Sequence, residues 1–324
     1  MPKQTYTLIS TMKNEGPFIL EWIAHYKALG FDYLVVQTND CEDTTVDILK
    51  ALERRGLAIH RGTRVWSSTS IHRAALKQAQ RNPEVQQADW IFVCDADEYL
   101  NVHVGDGSVQ ALVAAAGEGA DVISVPWRVF GPSGVHRFVD RPVTEQFTMA
   151  EHPPEARPEA GKFMKSLFTG LPRFKRVGLH APIPKDDQAE QIRVELPGGV
   201  LFAEGESRVG AALSFEAAQV NHYALRSGES FLVKRARGRA NHMTHTLGMD
   251  YWARFDLNHE HDDSIRRYDP LARVWLDELM GDPELRDLHE KSVAWYHDKI
   301  KALRADPELA EFVAAVDSQF SETA

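Results

Sequence analysis

Apolar and polar positions follow two periods in turn through the first third of this chain. Tyr6 to Met12 is rich in strand formers, and after it Phe18, Ile19, Trp22, Ile23, Tyr26 and Leu29 fall at helical spacing before Gly30. The pattern predicts a strand and then a helix over 17–29 that Gly30 stops. Tyr33-Leu34-Val35-Val36 predicts a second strand, and the polar loop Thr38 to Asp43 follows it. Thr44 with Asp47 has the look of a capping box for a helix that ends at Gly56. A third short strand is predicted over 57–60, a helix over 70–80 that Asn82-Pro83 breaks, and a fourth strand over 90–94. Strands and helices alternating at this spacing predict a mostly parallel sheet with right-handed crossovers and helices on both faces.

The middle of the chain is less regular. A strand is predicted over 121–125, and Pro126 to Gly134 is a shaped loop dense in Gly and Pro. The stretch 151–158 is expected to be an exposed excursion. A strand-like run over 214–220 leads into Asn221-His222-Tyr223, and helical pattern sets in from Ser230. Asp282-Pro283-Glu284 and Asp306-Pro307-Glu308 each place an N-cap residue before Pro at the first helical position. Neither internal repeats nor low-complexity segments interrupt this pattern.

Length and charge narrow the function classes. With 324 residues, 43% of them hydrophobic, the chain can bury a large core. A formal charge of −10 argues against a general nucleic-acid or anionic-membrane binder, though it leaves room for local basic patches. Cys41 and Cys94 are too sparse for a disulfide framework, which fits a reducing compartment. The first strand starts at once with no apolar signal region, and no apolar run reaches membrane-spanning length. A cytoplasmic protein is expected, with membrane contact at most peripheral.

The apolar run Trp90-Ile91-Phe92-Val93-Cys94 delivers Asp95-Ala96-Asp97-Glu98. Carboxylates crowded at a strand end repel one another, and a divalent cation would neutralise them. Side chains of an extended segment alternate with period two, so Asp95 and Asp97 are expected on one face, within reach of one metal or its bound phosphates. In open α/β sheets ligands bind beyond the carboxyl ends of the strands. That places Lys13-Asn14-Glu15, Thr38-Asn39-Asp40 and Asp95-Ala96-Asp97 along one crevice of nucleotide size.

The ordered series Lys13-Asn14-Glu15, Leu20-Glu21-Trp22-Ile23, His25-Tyr26, Leu29-Gly30, Asn39 to Thr44 and Asp95 to Leu100 resembles the family 2 glycosyltransferases of GT-A fold. Trp127, Phe130 to Gly134, Lys162, Lys165-Ser166, His180 and Pro182 resemble the family 2-like and family 92-like branch. So do Asn221-His222-Tyr223, Arg226-Ser227, Phe231, Lys234 and Arg237-Gly238. The likeness implies a GT-A three-layer αβα sandwich over 1–240, and the pattern beyond it, which the likeness does not cover, predicts a helical C-terminal extension over 241–324. It also implies transfer of a sugar from a nucleotide diphosphate donor to a glycan or other hydroxyl acceptor, with inversion.

Within that frame each site residue has an expected role. Mg²⁺ or Mn²⁺ on Asp95 and Asp97 would stabilise the leaving diphosphate. GT-A enzymes often bring a late histidine toward the metal, so His222 is the expected third ligand and His180 its competitor. Lys234 and Arg237, three apart on a helix, would reach the diphosphate, whereas Arg235 and Arg239 would face water. Asp40, with Lys13 and Glu15 nearby, would meet the base or ribose, and Asp43 would cap the next helix. Glu98 would bind a donor hydroxyl or cap the following segment. Trp127 and Phe130 would stack on a sugar or pack beneath the loop. Glu145 and Asp187, or Asp186 beside it, are the candidates for the general base, alongside Asp97 as the catalytic carboxylate. Two alternatives remain open: a phosphohydrolase of the haloacid dehalogenase type, and a non-catalytic nucleotide-sugar or glycan binder.

Overall fold

The structure, a computed structural model, describes residues 3–65, 70–152, 163–201, 214–237 and 247–321. Lys162, Gly238, Arg239 and the excursion from 153 to 158 lie outside the described residues, and so does the expected domain boundary at 240. The strands of the first half are β1 (Tyr6–Met12), β2 (Tyr33–Thr38), β3 (Ile59–Gly62), β4 (Trp90–Val93), β5 (Glu98–Val102) and β6 (Val122–Val129). Those that follow are β7 (Met149–Ala150), β8 (Met164–Thr169), β9 (Phe174–Arg176), β10 (Ile183–Pro184), β11 (Val194–Leu196), β12 (Val200–Leu201), β13 (Ala218–His222) and β14 (Glu260–His261). The helices are α1 (Gly16–Ala28), α2 (Thr45–Arg54), α3 (Ile71–Ala79), α4 (Pro83–Gln86), α5 (Val109–Ala114) and α6 (Val143–Gln146). Beyond them come α7 (Gly228–Arg237), α8 (Met249–Phe255), α9 (Asp269–Gly281), α10 (Pro283–Ala305) and α11 (Ala310–Ser318).

Strands β3, β2, β1 and β4 lie side by side and parallel. Antiparallel β8 then joins β4 to β6, and β6 carries β11 and β13 parallel to itself. Period-two alternation explains why the sheet needs helices on both faces. Leu8, Leu34, Val36 and Phe92 enter one apolar core, while their neighbours Ile9, Val35, Ile91 and Val93 enter the other. The result is the three-layer α/β/α sandwich implied by the sequence.

Helix α1 is buried nearly all round, including Phe18, Leu20, Trp22, Ile23 and Tyr26, because α9 and α10 cover the side turned away from the sheet. The C-terminal helices are therefore part of the sandwich: Leu279, Leu285, Tyr296 and Ile300 sit in the same core as Leu8 and Phe92. Asp282 and Asp306 cap as their sequences imply, accepting from Glu284 and Glu308 N–H groups at 2.9 Å each. The capping box at Thr44 does not form. Its hydroxyl donates to the Leu288 carbonyl at 2.7 Å, and Asp43 takes over by accepting from the Thr45 N–H at 3.0 Å. The same carboxylate accepts from the Gly16 N–H at 2.9 Å, so one side chain serves the starts of α1 and α2. Among the described residues no helix is long and apolar enough to cross a membrane.

Candidate functional site

The carboxyl ends of β1, β2 and β4 open into a cleft of about 470 Å³. Lys13 and Glu15 line it from the loop after β1, Thr38 and Asn39 from the end of β2, and Asp95 to Asp97 from the turn after β4. Helix α7 closes the far side with Lys234 and Arg237. The expected crevice is thus assembled from the three loops that topology places at one edge.

The acidic segment is a turn between β4 and β5, and the period-two expectation for it fails. The Glu98 N–H donates to the Asp95 carbonyl at 3.2 Å, which closes the turn and sends the two aspartates to different partners. Asp95 accepts from Lys165 Nζ at 2.8 Å and stands 3.4 Å from His72 Nε2. Burial opposes its charge, but Lys165 and His72 together hold the carboxyl well below the usual range. Asp97 accepts from Lys234 Nζ at 2.7 Å. Burial again opposes ionisation there, and the Lys234 ammonium overcomes it, so Asp97 is a carboxylate at any physiological pH.

Glu98 resolves in favour of scaffold. Its side chain is wholly buried, Oε2 accepts from the Asp95 N–H at 2.8 Å, and Lys165 lies 3.1 Å away. Burial pushes the Glu98 carboxyl up to about 8 against the pull of Lys165, so the Lys165 charge is matched mainly by Asp95. Lys165 is the second residue of β8 and fully buried, and its role was not read from the sequence. The available signal was a lysine inside the apolar strand Met164-Lys165-Ser166-Leu167-Phe168.

Glu15 ties the β1 loop to the late chain. It is buried and accepts from Arg226 Nη1 at 2.9 Å and from Arg237, and Arg237 also donates to the Lys13 carbonyl at 3.0 Å. Burial resists the Glu15 charge, while Arg237 and Arg226 hold its carboxyl below the usual range. Arg226 donates to the Ala96 carbonyl at 3.1 Å and lies 3.7 Å above the Phe18 ring. Two non-glycine residues beside the cleft, Asn14 at φ 53° and Arg226 at φ 56°, hold the left-handed conformation, a strain that clusters at functional sites. Arg235 does not face water as expected: its guanidinium lies 4.0 Å over the Phe312 ring and donates to the Leu247 carbonyl.

His222 is the last residue of β13, paired in register with Glu98. Its Nε2 lies 3.8 Å from Asp97 Oδ1, and its ring lies 4.1 Å from the Trp127 ring. Burial lowers its pKa to about 4, which keeps a neutral imidazole with a lone pair for metal binding. Its Nδ1 is buried with no hydrogen-bond partner among the described residues. Asp97 and His222 therefore fit a divalent cation whose other positions go to ligand oxygens or water. Among the described residues no three His, Cys, Asp or Glu side chains gather as a metal cluster, and Asp95 is turned to Lys165 and His72 instead.

Several expected residues stand elsewhere. Glu145, in α6, pairs with Arg273 at 2.8 Å and Arg141 at 3.6 Å and lines a separate pocket against α9. Asp187 and Asp186 are exposed on the loop after β10, and Asp40 is exposed at the tip of the β2 loop; none lines the cleft. These loops turn outward because their carboxylates find water or surface arginines and need no buried partner. Phe130 is buried against Tyr223, whereas Trp127 does line the cleft. His180 lines it too, and its Nδ1 lies 3.0 Å from the Met164 carbonyl. A carbonyl only accepts, so Nδ1 is the donor in that contact.

No protein-family model matches the chain. A glycosyltransferase family 92 protein from Ricinus communis is 23% identical over 160 residues, 47% of this chain. The chain covers only 28% of that relative's length. Among solved structures, TarS of S. aureus aligns over 99% of this chain and 54% of its own, with a TM-score of 0.38 and 13% identity. Glucosyl-3-phosphoglycerate synthase from Mycobacterium tuberculosis, solved with Mg²⁺ and uridine diphosphate, aligns over 63% of this chain and 73% of its own, with a TM-score of 0.32 and 16% identity. Neither structural likeness is close enough to place a residue. By sequence, the chain resembles the family 92 glycosyltransferases over about half its length.

Proposed function

We propose that the protein is a glycosyltransferase that moves a sugar from a nucleotide diphosphate donor to a hydroxyl acceptor. The observation that carries this is the pairing, across one cleft, of Asp97 at the β4 turn with Lys234 of α7, with Arg237 beside them. An acidic residue and two cations facing one another in a nucleotide-sized space suit a metal–diphosphate group, which carries both signs of charge. Lys234 and Arg237 would bind the diphosphate oxygens, and Asn39 and Thr38 lie where the β2 end would meet the nucleoside. Asp97 and His222 would hold Mg²⁺ or Mn²⁺, which when bound supplies Lewis-acid stabilisation of the leaving group.

In the reaction the acceptor oxygen bonds to the anomeric carbon while the bond to the diphosphate oxygen breaks and its electron pair leaves with the diphosphate. His180, which lines the cleft, is the side chain proposed to take the hydroxyl proton, the general-base role expected of Glu145 or Asp187. Glu15, Asp95 and Asp97 are the carboxylates lining the described cleft, and each is engaged by a cation. That supports direct displacement by the acceptor, with inversion.

Metal titration tests the division of labour between the histidines. His222→Ala should raise the Mn²⁺ concentration for half-maximal activity, with partial recovery at high metal. His180→Ala should lower kcat and leave the metal requirement in place. A metal shift in His180→Ala and none in His222→Ala would reverse the assignment.

A further inference from the structure

Beyond His72, Leu179 and His180, which line both spaces, the cleft continues into a second groove of about 800 Å³. Arg73, Lys77 and Arg81 run along one wall at intervals of four residues, on α3 and just past its end. Lys175 and Arg176 of β9 line the groove as well. All five side chains are exposed, and among the described residues no Asp or Glu lines the groove. Lys175 has a partner in Asp186 at 3.3 Å, an exposed pair of little strength; Arg73, Lys77, Arg81 and Arg176 have no ion pair among the described residues. Leu179 and Ile183, half-buried, add apolar surface between the cations, with Leu76 and Val177 buried behind them.

Five like charges lining one groove of a chain with net charge −10 repel one another, and an anion lying between them would remove that repulsion. We propose that this groove binds the acceptor, and that the acceptor is an anionic oligomer whose end reaches His180. The assignment rests on the transferase reading for the word acceptor, but the anionic chemistry rests on the groove alone. Its volume exceeds that of the donor cleft, which suits several linked units rather than one sugar. Phosphate esters and uronate carboxylates offer the same charge, and the apolar surface between the cations suits the carbon faces of either chain.

Isothermal titration calorimetry with three probes tests it: a glycerol phosphate hexamer, a galacturonate hexamer and neutral maltohexaose. Wild type should bind at least one anionic hexamer about tenfold or more tightly than maltohexaose, and added salt should weaken that binding. Preference between the two anionic probes identifies phosphate or carboxylate as the group read. The combined variant Arg73→Ala, Lys77→Ala, Arg81→Ala should lose about tenfold or more in that affinity; if circular dichroism shows it unfolded, Lys77→Glu alone takes its place. Equal affinity for neutral and anionic probes, or unchanged anionic binding in the variant, would overturn the proposal. Uridine, guanosine and thymidine diphosphates titrated into wild type separate the two ideas, because failure of all three to bind counts against the transferase reading and leaves the groove standing.

Discussion

At the scale of single residues, burial decides which groups can carry charge. His25 in α1 packs in the core with Nε2 at 2.9 Å from the Leu100 carbonyl, and burial lowers its pKa to about 4 although that hydrogen bond works the other way. An unfolded histidine titrates near 6.5, so between the two values the unfolded chain binds the extra proton. The contribution of His25 is therefore complete above about pH 6.5 and is lost as pH falls toward 4, by up to about 3 kcal/mol. Urea unfolding of wild type and His25→Gln between pH 7 and 4.5 should show a shallower fall in the variant, and identical slopes would contradict this. The same logic makes Glu15 costly to remove. Glu15→Ala leaves Arg226, buried, and Arg237 without their shared carboxylate and should destabilise by about 3 kcal/mol or more in urea, with lost nucleotide binding. A loss under about 1 kcal/mol would mean that water replaces the carboxylate freely.

At the scale of elements, α7 presents two faces with separate work. Lys234 and Arg237 face the cleft, and Arg235 packs over Phe312 on α11. Lys234→Ala should weaken nucleoside diphosphate binding roughly ten- to a hundredfold, the cost of a charge-assisted contact. Arg235→Ala should leave that affinity alone and lower stability by about 1 kcal/mol through lost packing. Equal losses of affinity would point to a diffuse basic surface. The spacing of Lys234 and Arg237 was legible in the sequence because helical periodicity is local. The second face was not, because Phe312 lies far along the chain and only tertiary packing brings it to Arg235. The acidic turn shows the same limit. Asp95-Ala96-Asp97 marks the site unaided, but the partners that orient it are Lys165, His72 and Lys234, and no local rule links those positions to it.

At the scale of the whole molecule, the first half of the sheet follows from sequence period alone, since β1 to β4 alternate apolar side chains into two cores. The second half depends on long-range antiparallel pairing of β8 with β4 and β6, and so the sequence pattern did not disclose it. Glu145, on the short helix α6, and Asp187, on the loop after β10, misled for a related reason: neither position carries a local signal of which way its carboxylate faces. The sandwich then brings the β4 turn, the end of β13 and the start of the basic groove to one edge, where donor and acceptor would meet across His180. The most direct test of this account is nucleoside diphosphate release from a panel of UDP-, GDP- and dTDP-sugars, with an anionic acceptor present, by wild type and Asp97→Asn. Wild type should release the diphosphate of one base, and Asp97→Asn, still folded by circular dichroism, should be slower by on the order of a hundredfold or more. Equal rates in the two proteins, or release of inorganic phosphate in place of the diphosphate, would contradict it.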